Sequence, residues 1–274
     1  MPRTRHRRSA PLRDEPRVRN WAVTFPTGGS IKELVSDWDR LVYASRGAMR
    51  VRTREGEWMV PPHRALWVPA GVSHRVEMRG RVSMRSLFFR PDLSGRLPRV
   101  CRVMNVSALL RELILHVSRR AVVDPRLNSE GHAVGLLLSQ LRAIEVVPLQ
   151  LPRPRDPRAL RTASLLSTPS GTRLPLASLG RAVGASPRTL QRLFAAETGM
   201  TFEKWRQRAR LIRSVELLSE GRKVTRVALE VGYDSPSAFI AMFRRELGST
   251  PRRYLRAGPG DASGKRPTAR PRSS

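Results

Sequence analysis

Ser186-Pro187-Arg188-Thr189-Leu190-Gln191-Arg192-Leu193-Phe194 returns forty-nine residues later as Ser235-Pro236-Ser237-Ala238-Phe239-Ile240-Ala241-Met242-Phe243. The same offset aligns Glu197 with Glu246, Gly199 with Gly248 and Thr201 with Thr250, so both copies share S-P-x-x-[LF]-x-x-x-F-x-x-E-x-G-x-T. Six identities at one spacing are hard to obtain by chance. Each copy reads as a capped helix. The serine hydroxyl can accept from an orphan amide of the first turn. Proline then takes the first helical position, where its missing N–H costs nothing. Apolar residues four apart mark a buried face, and the glycine ends the helix.

Upstream of each copy lies a short apolar helix and a glycine turn: Leu176 to Val183 then Gly184, and Val224 to Val231 then Gly232. Helix, glycine-containing turn and capped second helix make a helix-turn-helix, whose second helix leaves its early residues free to face base edges. Two such units are expected, at 176–197 and 224–246. Phe202 to Leu218 reads as one helix that fixes the distance between them. The alternative is a generic helical bundle with a coincidental duplication, and the exposed Arg and Gln expected on the capped helix argue against it.

The chain has 274 residues with a formal net charge of +30. Such a potential attracts polyanions, DNA above all. Of 52 basic residues only Lys32, Lys204, Lys223 and Lys265 are lysine, a skew that a GC-rich genome also produces, so charge alone does not decide the matter. Part of it falls in segments that read as a disordered basic arm (1–20) and tail (257–274). No apolar run approaches the roughly 18 residues of a membrane span. Cys101 is the single cysteine, leaving no internal disulfide and no cysteine-rich zinc site. A soluble, cytoplasmic protein that does not engage membranes is the expectation.

Between Trp21 and Phe89 short apolar stretches alternate with Gly47, Gly56, Pro61-Pro62, Pro69-Ala70-Gly71 and Gly80. That pattern predicts a small barrel or jelly roll. Two helices follow, at 105–119 and 130–146. Their apolar stripes predict either packing onto the barrel or a homodimer seam. Residues 148–157 contain four prolines and read as a linker. The fold class expected is α+β: a β jelly-roll domain with covering helices over 21–147, then an all-α domain of two helix-turn-helix units over 158–256.

The second copy, Ala228-Leu229-Glu230-Val231-Gly232-Tyr233-Asp234-Ser235-Pro236-Ser237-Ala238-Phe239 with Phe243-Arg244-Arg245, Gly248, Pro251 and Tyr254, resembles the AraC/XylS family of bacterial transcription regulators. The first copy resembles the same family over 186–194. The resemblance implies two recognition helices entering successive major grooves of double-stranded DNA, about 34 Å apart. It places Arg188, Gln191 and Arg192 at the bases in the first unit. Arginine can bind guanine O6 and N7 and glutamine adenine N6 and N7, both bidentately. The matching positions of the second unit are Ser237, Ala238 and Ala241. Alanine can meet a thymine methyl but forms no hydrogen bond to a base, so the first unit is expected to read more sequence. Phosphate contacts are expected from Arg206, Arg244, Arg245, Arg252 and Arg253 and from the helix-start amides at Ser186 and Ser235.

The N-terminal domain resembles the cupin that many members of this family use to sense small-molecule effectors. Pro69-Ala70-Gly71-Val72-Ser73-His74 matches the cupin's P-x-G-x-x-H, whereas Leu34-Val35-Ser36-Asp37-Trp38 stands where a metal-binding cupin carries H-x-H. His74 alone cannot make a metal site, so no metal and no cofactor are expected. Trp38, Tyr43, Trp58, Trp67 and His74 are the candidates to line a metal-free effector pocket. The function expected is a sequence-specific, effector-responsive transcription regulator, activator or repressor, with RNA polymerase as a partner if it activates. Two alternatives stand beside it. A metal-dependent cupin enzyme with a nucleic-acid-binding tail is opposed by the missing H-x-H and by the absence of catalytic motifs. A non-specific nucleoid protein would bind in a way that ignores sequence and collapses with salt.

Overall fold

The computed structural model describes residues 17–256, apart from 96, 120–121, 124–127, 143–147 and 169. Most of the expected basic arm and all of the expected basic tail therefore lie outside the described residues. Nine strands come in the order β1 (Val18–Phe25), β2 (Ser30–Leu34), β3 (Asp39–Thr53), β4 (Gly56–Val60), β5 (Arg64–Val68), β6 (His74–Phe89), β7 (Arg102–Asn105), β8 (Val122–Val123) and β9 (Gln150–Pro152). Helices α1 (Pro91–Ser94), α2 (Ala108–Val117) and α3 (Asn128–Arg142) fall among the later strands. The C-terminal part is helical: α4 (Pro157–Leu166), α5 (Leu176–Val183), α6 (Pro187–Thr198), α7 (Phe202–Ser219), α8 (Val224–Glu230), α9 (Pro236–Leu247) and α10 (Pro251–Arg256).

The strands form one antiparallel sheet built on the long β3–β6 pair. Register breaks at Ala44/Arg46 and Arg46/Ala48 bend that pair, as bulges do. At the bend Gly47 has φ +75°, and a Cβ there would overlap the carbonyl oxygen of Arg81. Before the bend β3 pairs with β5; after it, with β4. The sheet thus curls on itself, and alternation sorts its side chains to two faces. Leu41, Tyr43, Trp67, Leu87 and Phe89 pack outward against Leu110 and Ile114 of α2 and Leu137 and Leu141 of α3. Val42, Val51, Trp58, Val76, Val82 and Met84 belong to the other cluster, on the inner face. The apolar stripes of α2 and α3 are thus spent on the barrel, while Leu109 and Leu136 stay exposed.

Two boundaries differ from the sequence reading. Val18, expected in a disordered arm, starts β1 and pairs with Phe89, because a strand edge of β6 is there to receive it. The proline-rich 148–157 is no free linker. Gln150–Pro152 pairs antiparallel with Gly56–Trp58, an edge position where proline's missing donor is tolerated. Leu149 is buried and its carbonyl accepts from the Met59 amide. The helical domain is therefore sewn to the barrel edge at its first residues.

Candidate nucleic-acid interface

Each duplicated serine caps its helix. Ser186 Oγ accepts from the Thr189 amide at 3.1 Å and Ser235 Oγ from the Ala238 amide at 3.2 Å. Leu190 and Phe194 in α6, and Phe239 and Phe243 in α9, are fully buried. Burying those positions turns the rest of each helix outward. Arg188, Gln191 and Arg192 are exposed on α6, and Ser237, Ala238 and Ala241 are exposed on α9. On α6 the polar side chains line a shallow hollow with Ser186 and Thr189. Gly199 and Gly248 end the two helices at φ +67° and +74°, the left-handed geometry that favours glycine.

The repeated glutamates are structural. Glu197 Oε2 accepts from the backbone amides of Arg155 and Asp156, at 2.6 and 3.0 Å. Glu246 Oε1 accepts from Gln207 Nε2 at 2.9 Å. Helix α7 runs between the units and ties them together with arginines. Arg206 donates to the Leu174 carbonyl and Arg210 to that of Thr172, both in the segment that leads into the first unit. The Arg210 guanidinium also lies 5.7 Å from the Tyr233 ring centroid in the second. From the other side Arg173 donates to the Leu229 carbonyl at 2.7 Å.

These bonds correct one expectation. Arg206, expected at phosphate, is only 19% exposed and is spent on Leu174, on Glu203 and over the Phe202 ring. It holds the units in place. Arg244, Arg245, Arg252 and Arg253 are exposed. Arg210 was missed by the sequence reading, since its partners are the Thr172 carbonyl and the Tyr233 ring, both distant in the chain.

The turns differ between units. Unit one passes from α5 to α6 through Gly184-Ala185-Ser186, unit two from α8 to α9 through Val231-Gly232-Tyr233-Asp234-Ser235. Matched bonds close both, Ala185 amide to Gly180 carbonyl and Tyr233 amide to Ala228 carbonyl, each at 2.9 Å. In the shorter turn the chain returns so close that a Cβ on Gly180 would overlap the Ala185 carbonyl oxygen. Unit two carries alanine at the matching place.

The five candidate pocket residues do not share one wall. Tyr43 and Trp67 face outward under the helices and are core; odd positions of β3 before its bend point that way, which register decides and composition does not. Trp58 and His74 lie on the inner face, where Val51 pairs with both Trp58 and Val76. Trp38, half-buried between β2 and β3, lies 4.5 Å beneath the Arg19 guanidinium. His74 is fixed in one tautomer: Nδ1–H donates to the Val72 carbonyl at 2.9 Å, so Nε2 accepts from Arg40 at 3.0 Å. Burial lowers its pKa and the nearby Arg40 adds to that, against the Val72 bond. Among the described residues no three His, Cys, Asp or Glu side chains are grouped to hold a metal, and no helix is long and apolar enough to cross a membrane.

The helical domain docks on the barrel through Glu216 of α7, whose side chain is wholly buried. It pairs with Arg50 of β3 and Arg79 of β6, both at 2.6 Å, and with Arg213 at 2.8 Å. Burial would raise the Glu216 pKa, but Arg50, Arg213 and Arg79 outweigh it and hold the carboxyl below its ordinary value. Arg213 and Arg222 continue to Glu230 at the end of α8. Charge pairing therefore runs from barrel strands to the second helix-turn-helix.

A family model described as helix-turn-helix domain matches residues 179–257, and one described as AraC-like ligand binding domain matches 36–139. The HTH-type transcriptional regulator NimR of Escherichia coli is 32% identical over 242 residues, spanning 85% of this chain and 87% of that protein. The HTH-type transcriptional regulator RipA of Corynebacterium diphtheriae is 34% identical over 102 residues, 36% of this chain and 30% of its own. The arabinose operon regulatory protein of Escherichia coli is 30% identical over 133 residues, 47% of this chain and 45% of its own.

Proposed function

Because this chain belongs to the AraC/XylS family of transcription regulators, with a DNA-binding and a ligand-binding domain, we propose that it reads a bipartite operator chiefly through α6 and positions itself through α9. One observation carries this reading. The first two turns of α6 offer Arg188, Gln191 and Arg192 to solvent from a helix pinned by its serine cap and buried Leu190 and Phe194. Rigid presentation of long donors is what base recognition needs. Ser237, Ala238 and Ala241 of α9 approach bases with less to say. Arg244, Arg245, Arg252 and Arg253, with the first-turn amides of both helices, take phosphates.

The inner face of the barrel takes a small-molecule effector, with Trp58, His74 and Trp38 near it. An effector shifts the outcome only if it binds two arrangements of the domains unequally, and the Glu216 junction is the contact through which β3 and β6 can impose one. The protein works without catalysis, in the cytoplasm, as a homodimer, and as an activator would meet RNA polymerase. The test is fluorescence anisotropy on a selected operator and a scrambled duplex across a salt series. A regulator keeps a specific-over-non-specific ratio of roughly 10³ or more at moderate salt. Equal affinities that collapse together would instead favour a non-specific nucleoid binder.

A further inference from the structure

Arg40 breaks the rule that buried charges are paired. It lies in β3 with none of its surface exposed, yet among the described residues it forms no ion pair. Nε and Nη2 both donate to the Ser86 hydroxyl, at 3.2 and 2.8 Å, and Nη1 donates to His74 Nε2 at 3.0 Å. Another Nη2 hydrogen has only the Met84 sulfur, at 3.9 Å. A guanidinium carries five donors, so one is left over and one meets only a thioether. All these partners are neutral, His74 included, since its Nε2 is the acceptor. The neighbouring Asp39 does not help: its carboxylate is spent on the Ala70 amide and the Ser94 hydroxyl. Elsewhere this chain pairs its buried charge, Glu216 with Arg50 and Arg79.

The surroundings of Arg40 are apolar and half open. By register Trp21 stands beside Ser86, Val23 beside Met84 and Phe25 beside Val82. Trp21 is 39% exposed, and Val23, Phe25, Ile31 and Val72 are only partly buried against the inner cluster. An incomplete apolar wall leading to a cation that meets the ring faces of Trp21 and Phe88, at 5.8 and 5.0 Å, but no carboxylate among the described residues has the polarity of an amphiphile's complement. We infer that the effector is an apolar organic carboxylate, its anionic head received by Arg40 and its body lying along Trp21, Val23 and Phe25. This rests on reading the barrel as the effector domain and specifies the chemistry of what enters it. Ser86 and His74 orient the guanidinium without neutralising it, leaving its charge for the incoming anion.

The test compares acids with their uncharged isosteres on the full chain: hexanoate against hexanamide and benzoate against benzamide, at matched ionic strength, by thermal melting and calorimetry. At least one acid is expected to raise the melting temperature by roughly 3 °C or more, with its amide giving less than a third of that. Arg40→Met is expected to abolish the acid-dependent rise while melting no lower than the parent without ligand. If that variant fails to fold, Trp21→Asp, at a partly exposed wall position, places a carboxylate beside Arg40 and is expected to cancel the rise. Equal shifts from acid and amide would overturn the carboxylate assignment while leaving the barrel a small-molecule site. No shift from any of the four, or an acid shift that survives either variant, would overturn it outright. Operator affinity measured alongside reports separately on the DNA-binding reading.

Discussion

The two helix-turn-helix units are the same device in different surroundings. Both have the serine cap, the two buried apolar positions, the glutamate and the stopping glycine. What they do not share is the outward chemistry and the attachment. The first offers two arginines and a glutamine on α6 and is closed by a turn so tight that Gly180 can carry no side chain. The second offers serine and alanines, stacks Tyr233, Phe239, Phe243 and Tyr254 edge to face, and meets the barrel through Glu230, Arg213 and Glu216. Arg64 of the barrel lies 4.9 Å from the Tyr254 ring centroid. Repeated residues keep the scaffold; unrepeated ones set the units apart, and the proposed division of labour has the first unit reading and the second anchored where the barrel can act on it.

The largest test of this division is at the anchor. Glu216→Ala strands Arg50 and Arg79 and is expected to cost about 3–5 kcal/mol in urea unfolding, while the base preferences under α6 persist in any folded protein. Because the Glu216 carboxyl titrates below its ordinary 4.5, its stabilisation is full above that pH and drains as pH falls through the folded value. The parent should therefore lose stability in acid more steeply than Glu216→Gln. At the reading surface, Arg192→Ala is expected to cost about 1–3 kcal/mol of operator affinity, and Ala241→Ser less than about 0.5 kcal/mol, by anisotropy at fixed salt. The turns give a paired measurement. Gly180→Ala should destabilise by about 1–3 kcal/mol through overlap with Ala185, whereas Ala228→Gly at the matching place should cost only about 0.5–1 kcal/mol. Ser186→Ala and Ser235→Ala should each cost about 1 kcal/mol. Similar values would mark the caps as the part the units hold in common.

Local chemistry made the helical domain legible from sequence. A cap, an N1 proline and a stopping glycine act within a dozen residues, so Ser186 and Ser235 announce their helices without knowledge of the rest. What depends on distant partners was hidden. Tyr43 and Trp67 look like pocket aromatics until register with β5 and β6 sends them outward. The prolines of 148–157 look like a linker until β4 offers an edge. Arg206 looks like a phosphate ligand until α7 packs beside Leu174, and Arg210 shows no role until its carbonyl partner at Thr172 is in place. Glu216 and Arg40 gave no signal, one being an acid near the end of a basic helix and the other an arginine among many.

Selection of bound duplexes from a randomised pool, with the intact protein at moderate salt, tests the central claim most directly. The expected outcome is a pair of elements one helical turn apart, about 10–10.5 base pairs centre to centre. The tight base preference should fall under the element that Arg192→Ala relaxes. Tight preference only under the element that α9 contacts, with no change on Arg192→Ala, would contradict the account.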